Sequence, residues 1–332
     1  MKVCIIGSSG HINYVIDGIK KDKEINITAI AAGSANEDMG KIFEQLKEIG
    51  CTPSQYKDPE EMLKLEKPDI VVVATIFGDL AKWTVKALDY KCHVMVEKPI
   101  STSYEGLLQI KDSQKKAGTY LAAMLGSRYA NHFYTAWKLT QAGKIGEIRL
   151  INVQKSYKLG ARPEFYQDRI KYGGTIPWVG SHAIDLIRWF SGEQYVTVYA
   201  SHTTRANHGL GDLETTALCH FTLTNEVMGS VNIDYLRPYN SPRHDDDRIY
   251  IAGTKGVIEV INQQVLLIND EFKGIQQVKI EDGGNIMLDF INQIKGKGNC
   301  LVSEKDSFAM AEACLKARQS ADEKCIISFV EP

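Results

Sequence analysis

Apolar and polar positions change rhythm twice along this chain, and the changes outline its architecture. Residues 2–6 form a short β-rich run that ends in a glycine turn, and residues 12–20 then carry apolar side chains at helical spacing. A second strand is expected at 25–32, followed by an amphipathic helix over 38–49 closed by Gly50. The continuous apolar run at 69–74 is of the kind found in a parallel sheet buried on both faces. Helix at 80–90, strand at 93–96, helix at 104–117 and strand at 120–124 complete the series. Repeated strand–helix–strand units predict a doubly wound parallel sheet, with ligands at the carboxyl ends of its strands.

Beyond about residue 124 the pattern becomes β-rich. A helix at 134–142 leads to a strand at 147–156, and Gly173-Gly174 precedes a helix at 181–190. Strands are expected at 196–204, 214–223, 227–235, 247–252, 256–260 and 265–268, with helices at 287–294 and 308–320 around them. The fold class is therefore α/β in two domains. Residues 1–124 form a doubly wound parallel domain, and residues 125–332 form an α+β domain with an open, mostly antiparallel sheet.

Composition narrows the function classes. Charge is nearly balanced, 39 basic against 41 acidic side chains in 332 residues, which argues against a chain built to coat nucleic acid or an anionic membrane. The longest apolar stretches fall well short of the roughly 18 residues of a membrane span. No secretory signal is visible, and the seven cysteines are scattered with no C-x-x-C pair. They read as thiols of a reducing cytosol, so a cytoplasmic enzyme or binding protein is expected, with no metal site.

Candidate chemistry begins at Gly7-Ser8-Ser9-Gly10, between the first strand and the first helix. Backbone N–H groups at a helix N-terminus suit a phosphate. A full G-x-G-x-x-G would place glycine where Ser9 and Ile12 stand, so an ordinary tight turn explains the segment equally well. The second strand runs out at Gly33-Ser34 with no carboxylate until Glu37. A small polar residue there leaves room for a 2′-phosphate, although Lys41 is the nearest cation. The expected cofactor is NADP or NAD, with a lean to NADP.

Glu97-Lys98-Pro99 follows the strand at 93–96, at the carboxyl edge. A lysine there is either a solvated loop charge or a proton relay beside a substrate hydroxyl, and the Lys-Pro bond is a candidate for cis geometry. From Ala87-Leu88 through His93-Val94-Met95-Val96-Glu97-Lys98-Pro99-Ile100 the chain resembles the glucose–fructose oxidoreductase, inositol dehydrogenase and rhizopine-catabolism (Gfo/Idh/MocA) family. Arg128-Tyr129, Gly143-Lys-Ile-Gly146-Glu147, Gly180-Ser-His182-Ala-Ile-Asp185 and Gly253-Thr-Lys-Gly256 follow in the family's order. The resemblance spans almost the whole chain.

It implies an N-terminal Rossmann domain and a C-terminal domain that covers the substrate and mediates homo-oligomerisation, as a dimer or tetramer. It also implies hydride transfer between nicotinamide and a hydroxyl-bearing carbon of a sugar, cyclitol or similar polyol. Lys98 and His182 are then the catalytic candidates. Gly7, Ser8, Ser9, Gly10, His11, Ile12, Gly33, Ser34, Thr75, Ile76, Glu97, Lys98 and Pro99 are the cofactor candidates. Lys98, Arg128, Trp178, His182 and Asp185 are the candidates for substrate contact. A small carbohydrate-like molecule is the expected partner.

The chain departs from the family pattern at several points. The second-domain motif commonly reads Asp-x-x-x-His-x-x-Asp, and Trp178 stands at its first acidic position. An indole cannot accept a proton, but it can stack on a sugar face. Either Lys98 and His182 share the acid/base work, or the redox chemistry is altered or lost. The latter would leave a binding or regulatory protein, or one that uses a retained cofactor for elimination or glycoside cleavage. After the third strand of the parallel series, Thr75-Ile76-Phe77-Gly78-Asp79-Leu80 replaces a Pro-and-His pattern. His182 and Asp185, three apart, share a helix face, where Asp185 could orient the imidazole or simply lie near a packed core histidine. Asp245-Asp246-Asp247 reads as a solvated turn, because neighbouring strand residues point to opposite faces and cannot converge on one ion. Tyr157, Arg162, Tyr166 and Arg169 lie in an irregular segment that is either a cap over the substrate or a surface loop.

Overall fold

The computed structural model describes residues 1–22 and 24–329, which form two compact units. The first comprises Met1–Gly126, Ile170–Gly173 and Asn285–Glu312, and the second comprises Ser127–Arg169, Gly174–Gly284 and Ala313–Pro332. Among the described residues no helix is long and apolar enough to cross a membrane.

The first unit begins with β1 (Lys2–Ile6), α1 (Asn13–Lys21), β2 (Asn26–Ala31) and α2 (Gly40–Glu48). It continues through β3 (Ser54–Tyr56), α3 (Pro59–Glu66), β4 (Ile70–Val73), α4 (Leu80–Asp89), β5 (His93–Val96), α5 (Tyr104–Ala117) and β6 (Leu121–Ala123). The strands form one parallel sheet in the order β3-β2-β1-β4-β5-β6. Strand order reverses between β1 and β4, so a crevice opens at their carboxyl ends, where this class of sheet takes its ligand. Val71, Val72 and Val73 are fully buried, as the uninterrupted apolar run requires of a central strand.

The second unit starts with α6 (Asn131–Gln141), β7 (Ile148–Tyr157), the single turn α7 (Arg169–Tyr172), which runs on into the first unit, and α8 (Ser181–Ser191). Strands β8 (Tyr195–Thr203), β9 (Thr216–Leu223), β10 (Met228–Asp234), β11 (Asp245–Gly253), β12 (Gly256–Ile261), β13 (Gln264–Asn269) and β14 (Gln276–Val278) follow. Helices α9 (Ile286–Ile294) and α10 (Glu304–Glu323) and the edge strand β15 (Ile327–Ser328) close the chain. The nine strands form one sheet, β14-β13-β12-β11-β7-β10-β9-β8-β15, antiparallel except where β10 runs parallel to β7.

Two expectations change. Helix α9 belongs to the first unit, where it packs on α1 rather than around the antiparallel sheet. Gly18 of α1 makes this possible, because a Cβ there would stand 2.8 Å from the Met287 side chain, and Asn285 Nδ2 donates to Tyr14 O at 3.1 Å. Residues 245–247 are strand and not a solvated turn. Asp246 is buried and accepts from Arg248 at 2.7 and 3.0 Å, with Arg237 at 3.2 Å, while Asp247 pairs with Lys155. Cation partners on both faces let a run of three carboxylates enter a sheet. Their alternation across the strand, which ruled out a shared ion, holds.

Candidate active site

In the first unit, four strand ends converge on the glycine turn. Gly7 and Gly10 have φ of +88° and +76°. A Cβ on Gly7 would stand 2.5 Å from the Thr75 backbone, and one on Gly10 would stand 2.5 Å from the Glu97 carboxylate. Both positions therefore require glycine, for conformation and for space. Ser9 N donates to Ala74 O at 2.6 Å, which pins the turn to the end of β4. Ile12 caps α1 without a side-chain hydrogen bond, and the first turn of a helix leaves N–H groups without intrahelical partners.

Two carboxylates organise this turn. Glu97, fully buried after β5, accepts from His11 N at 2.6 Å and from Lys98 N at 3.1 Å, and its other contact is His11 Nδ1 at 2.8 Å. One side chain thus ties the glycine turn to the Glu-Lys-Pro segment. The Lys98–Pro99 bond is cis, and Lys98 is 2% exposed. The second carboxylate is Glu37. It accepts from Ser8 N at 3.0 Å, Ser9 Oγ at 3.0 Å, Gly33 N at 3.1 Å, Ser34 N at 3.2 Å and Thr75 Oγ1 at 2.8 Å. The loop after β2 turns back at Asn36 (φ +62°), which carries Glu37 to the strand end. Sequence distance from the strand had hidden this placement. Ser34 Oγ donates to Asp79 at 2.6 Å and lies 2.7 Å from Thr75 Oγ1. Ile76 follows Thr75 and leads into the single helical turn Phe77–Asp79.

The turn fits a dinucleotide. Glycines clear the backbone surface at the N-terminus of α1, whose dipole suits a diphosphate, and the Glu37 carboxylate stands at the end of β2, held by the surrounding loop donors.

In the second unit, residues Ile176–Gly180 form a π-helical turn leading into α8. Such turns are rare and frequent at functional sites. This one is pinned by Glu214, a buried carboxylate that the sequence reading had not singled out. Glu214 accepts from Thr175 N at 2.8 Å and pairs with Arg169 at 2.8 Å. Trp178 lies in the turn, 9% exposed, with its ring edge-on to Tyr166 at 6.3 Å. His182 is buried in the first turn of α8.

Asp185 accepts from Arg128 Nε at 2.8 Å and from its terminal nitrogen at 2.6 Å, and both residues are 2% exposed. Arg128 also stacks over Trp189, 5.5 Å from its ring centre. Both Asp185 oxygens are therefore engaged by a guanidinium fork. Nearby on β7, buried Lys155 pairs with Asp247, and Tyr157 Oη donates to the same carboxylate at 3.4 Å. Burial acts to lower the Lys155 pKa, but Tyr157 and Asp247 outweigh it and the ammonium is held above its usual range. Burial raises the Tyr157 hydroxyl.

A parallel sheet with a glycine turn at its switch point and a buried Glu-Lys-Pro segment beside it define a dinucleotide-binding oxidoreductase domain, here followed by a large open-sheet domain. Residues 1–125 match the family model for oxidoreductases with an NAD-binding Rossmann fold, and residues 133–259 match the Gfo/Idh/MocA C-terminal domain. The chain belongs to the Gfo/Idh/MocA family of oxidoreductases. A solved Thermotoga maritima chain assigned to the oxidoreductases is 49% identical, with a TM-score of 0.96 over 99% of this chain and 100% of that one. Myo-inositol 2-dehydrogenase of the same organism is 23% identical over 277 residues, 82% of this chain and 79% of that enzyme. D-glucoside 3-dehydrogenase of Escherichia coli is 28% identical over 152 residues, 45% of this chain and 43% of that enzyme.

Proposed function

We propose that this protein is an NAD-dependent dehydrogenase or reductase acting on a hydroxyl-bearing carbon of a sugar, cyclitol or related polyol. The observation that carries this reading is the Glu97 link, which holds the buried Lys98 segment against the glycine turn. Family relatives that act on inositol and on a glucoside support the substrate class. Bound NAD supplies the hydride acceptor. Lys98 is assigned the proton at the substrate oxygen, and His182 is assigned a share of the acid/base work. Trp178 offers an indole face for a sugar ring. Arg128 and Asp185 support the fold of α8 through their fork, which keeps His182 in place.

Glu37 supports a finer reading of the cofactor. Its carboxylate, fixed at the end of β2 by Gly33 N, Ser34 N and Thr75 Oγ1, places a negative charge there that repels a 2′-phosphate, so NAD is favoured over NADP, against the lean drawn from Ser34 alone. Two like charges near 4 Å repel by about 1–4 kcal/mol between aqueous and near-surface dielectric. NADH is therefore expected to bind more tightly than NADPH, by about fivefold to nearly a thousandfold, in a fluorescence titration. Glu37→Gln should close most of that gap. Equal or tighter NADPH binding by the unaltered protein would overturn the assignment.

The protein is further proposed to be cytoplasmic and homo-oligomeric. Tyr199, Leu218, Met228 and Tyr250 are exposed on one face of the nine-stranded sheet, as their register across β8, β9, β10, β7 and β11 places them. A second copy would cover this face. Sedimentation equilibrium should give a mass of two or four chains, falling toward one in Leu218→Glu. A monomeric unaltered protein contradicts the assignment.

A further inference from the structure

A groove of about 680 Å³ in the second unit is lined by residues of the segments 158–162, 206–210 and 235–239 and is not part of the cofactor turn. Its lining includes Lys158, Arg162, His208, Tyr235, Arg237 and Tyr239, and no Asp or Glu. Arg237 is neutralised by Asp246 at 3.2 Å. Arg162 and Lys158 are different. Among the described residues neither meets a carboxylate.

Arg162 donates one hydrogen bond, from a terminal nitrogen to Lys158 O at 3.1 Å, and its buried Nε has no partner. Lys158 donates to Ser241 O at 2.6 Å. The guanidinium carbon lies over two aromatic rings, 4.6 Å from the centre of Tyr235 and 5.5 Å from that of Tyr166. A half-buried guanidinium packed on aromatic rings, with an unspent donor, is the arrangement that recognises a carboxylate or phosphate. Leaving that buried donor unmade is unfavourable, and an anion would satisfy it.

Buried Tyr166 links the groove's Arg162 to Trp178. We propose that the substrate is an anionic carbohydrate, a sugar acid or sugar phosphate, whose carboxylate or phosphate is held by Arg162 and Lys158. This rests on the carbohydrate-oxidoreductase reading and narrows it. It also accounts for a charge feature that composition conceals, because the chain's net charge of −2 averages over a locally cationic groove.

Two measurements on the full chain test the site separately from that reading. In the first, inorganic phosphate is titrated while the Arg162 Nε resonance, identified by its loss in Arg162→Gln, is followed by NMR. Saturable movement at millimolar phosphate is expected, and a resonance that stays fixed throughout overturns the anion site. In the second, glucose, glucuronate and glucose 6-phosphate are compared by calorimetry on the NADH-saturated protein. Glucuronate, glucose 6-phosphate or both should bind at least about tenfold more tightly than glucose, and the better of the two identifies carboxylate or phosphate. That advantage should disappear in Arg162→Gln and in Lys158→Gln, while glucose binding is retained. Equal binding of all three sugars, or an advantage that survives both substitutions, overturns the proposal. Phosphate moving Arg162 with no response to any sugar supports the anion site and contradicts the carbohydrate reading.

Discussion

Lys98→Ala is expected to lower kcat by about two to four orders of magnitude while leaving NADH affinity within about twofold, in the range that general acid–base groups contribute. The argument starts from burial. Lys98 is 2% exposed, and lysine is seldom buried without a task or a partner. Its segment is fixed by the Glu97 carboxylate, which accepts from both Lys98 N and His11 N, so the ammonium has a defined origin at the carboxyl edge of β5. Alanine keeps the backbone donor to Glu97 and therefore keeps the turn. It removes only the side chain that would hold and exchange the substrate proton. Lys98→Arg should not rescue the rate, because a guanidinium does not give up its proton at neutral pH and its fork is wider than an ammonium. A parallel fall in NADH affinity would place Lys98 in the structure of the turn, and an unchanged kcat would remove it from the chemistry.

The second large effect is on stability. Arg128→Met takes the guanidinium fork from Asp185, which is buried on α8, and breaking a buried pair in this way destabilises by about 3–5 kcal/mol. The double variant Arg128→Met/Asp185→Leu removes both charges and should recover most of the loss, because the pair's attraction largely offsets its own desolvation. Urea denaturation followed by tryptophan fluorescence reads both, since Trp189 lies against Arg128. If the double variant is no more stable than the single one, the cost does not come from the broken ion pair. The cation's packing on Trp189 would then be the dominant contribution.

The sequence made the first unit legible because its strands are buried on both faces. Residues 70–73 and 94–96 are uninterrupted, fully buried apolar runs, which is what a strand covered on both faces requires. Strand β3 escaped notice because Ser54-Gln55-Tyr56 is three residues long and mostly exposed. Helix α3 could have been found. Asp58 accepts from Glu60 N at 2.9 Å as its cap, with Pro59 in the first turn and two glutamates behind it, a start signal that the sequence prints in full. The placement of α9 could not be read, since an amphipathic helix does not state which sheet or helix it covers.

The site divides in the same way. The Glu-Lys-Pro segment and the glycine turn were visible as patterns of residue types at strand ends. Glu37 was not, because its place depends on a loop that doubles back. Lys155 and Asp247 lie 92 positions apart and meet only through the register of β7 and β11. Arg162 could be named from the sequence but not given a role, since its value lies in the absence of a carboxylate around it.

The central claim is hydride transfer between nicotinamide and a carbon bearing a hydroxyl, and the near-ultraviolet absorbance of reduced nicotinamide measures it directly. The purified protein, mixed with NAD and a panel of sugars, cyclitols, sugar acids and sugar phosphates, is expected to generate that absorbance with at least one anionic member and to lose it in Lys98→Ala. Saturable NADH binding with no absorbance change across the whole panel, in either direction of the reaction, would contradict the account.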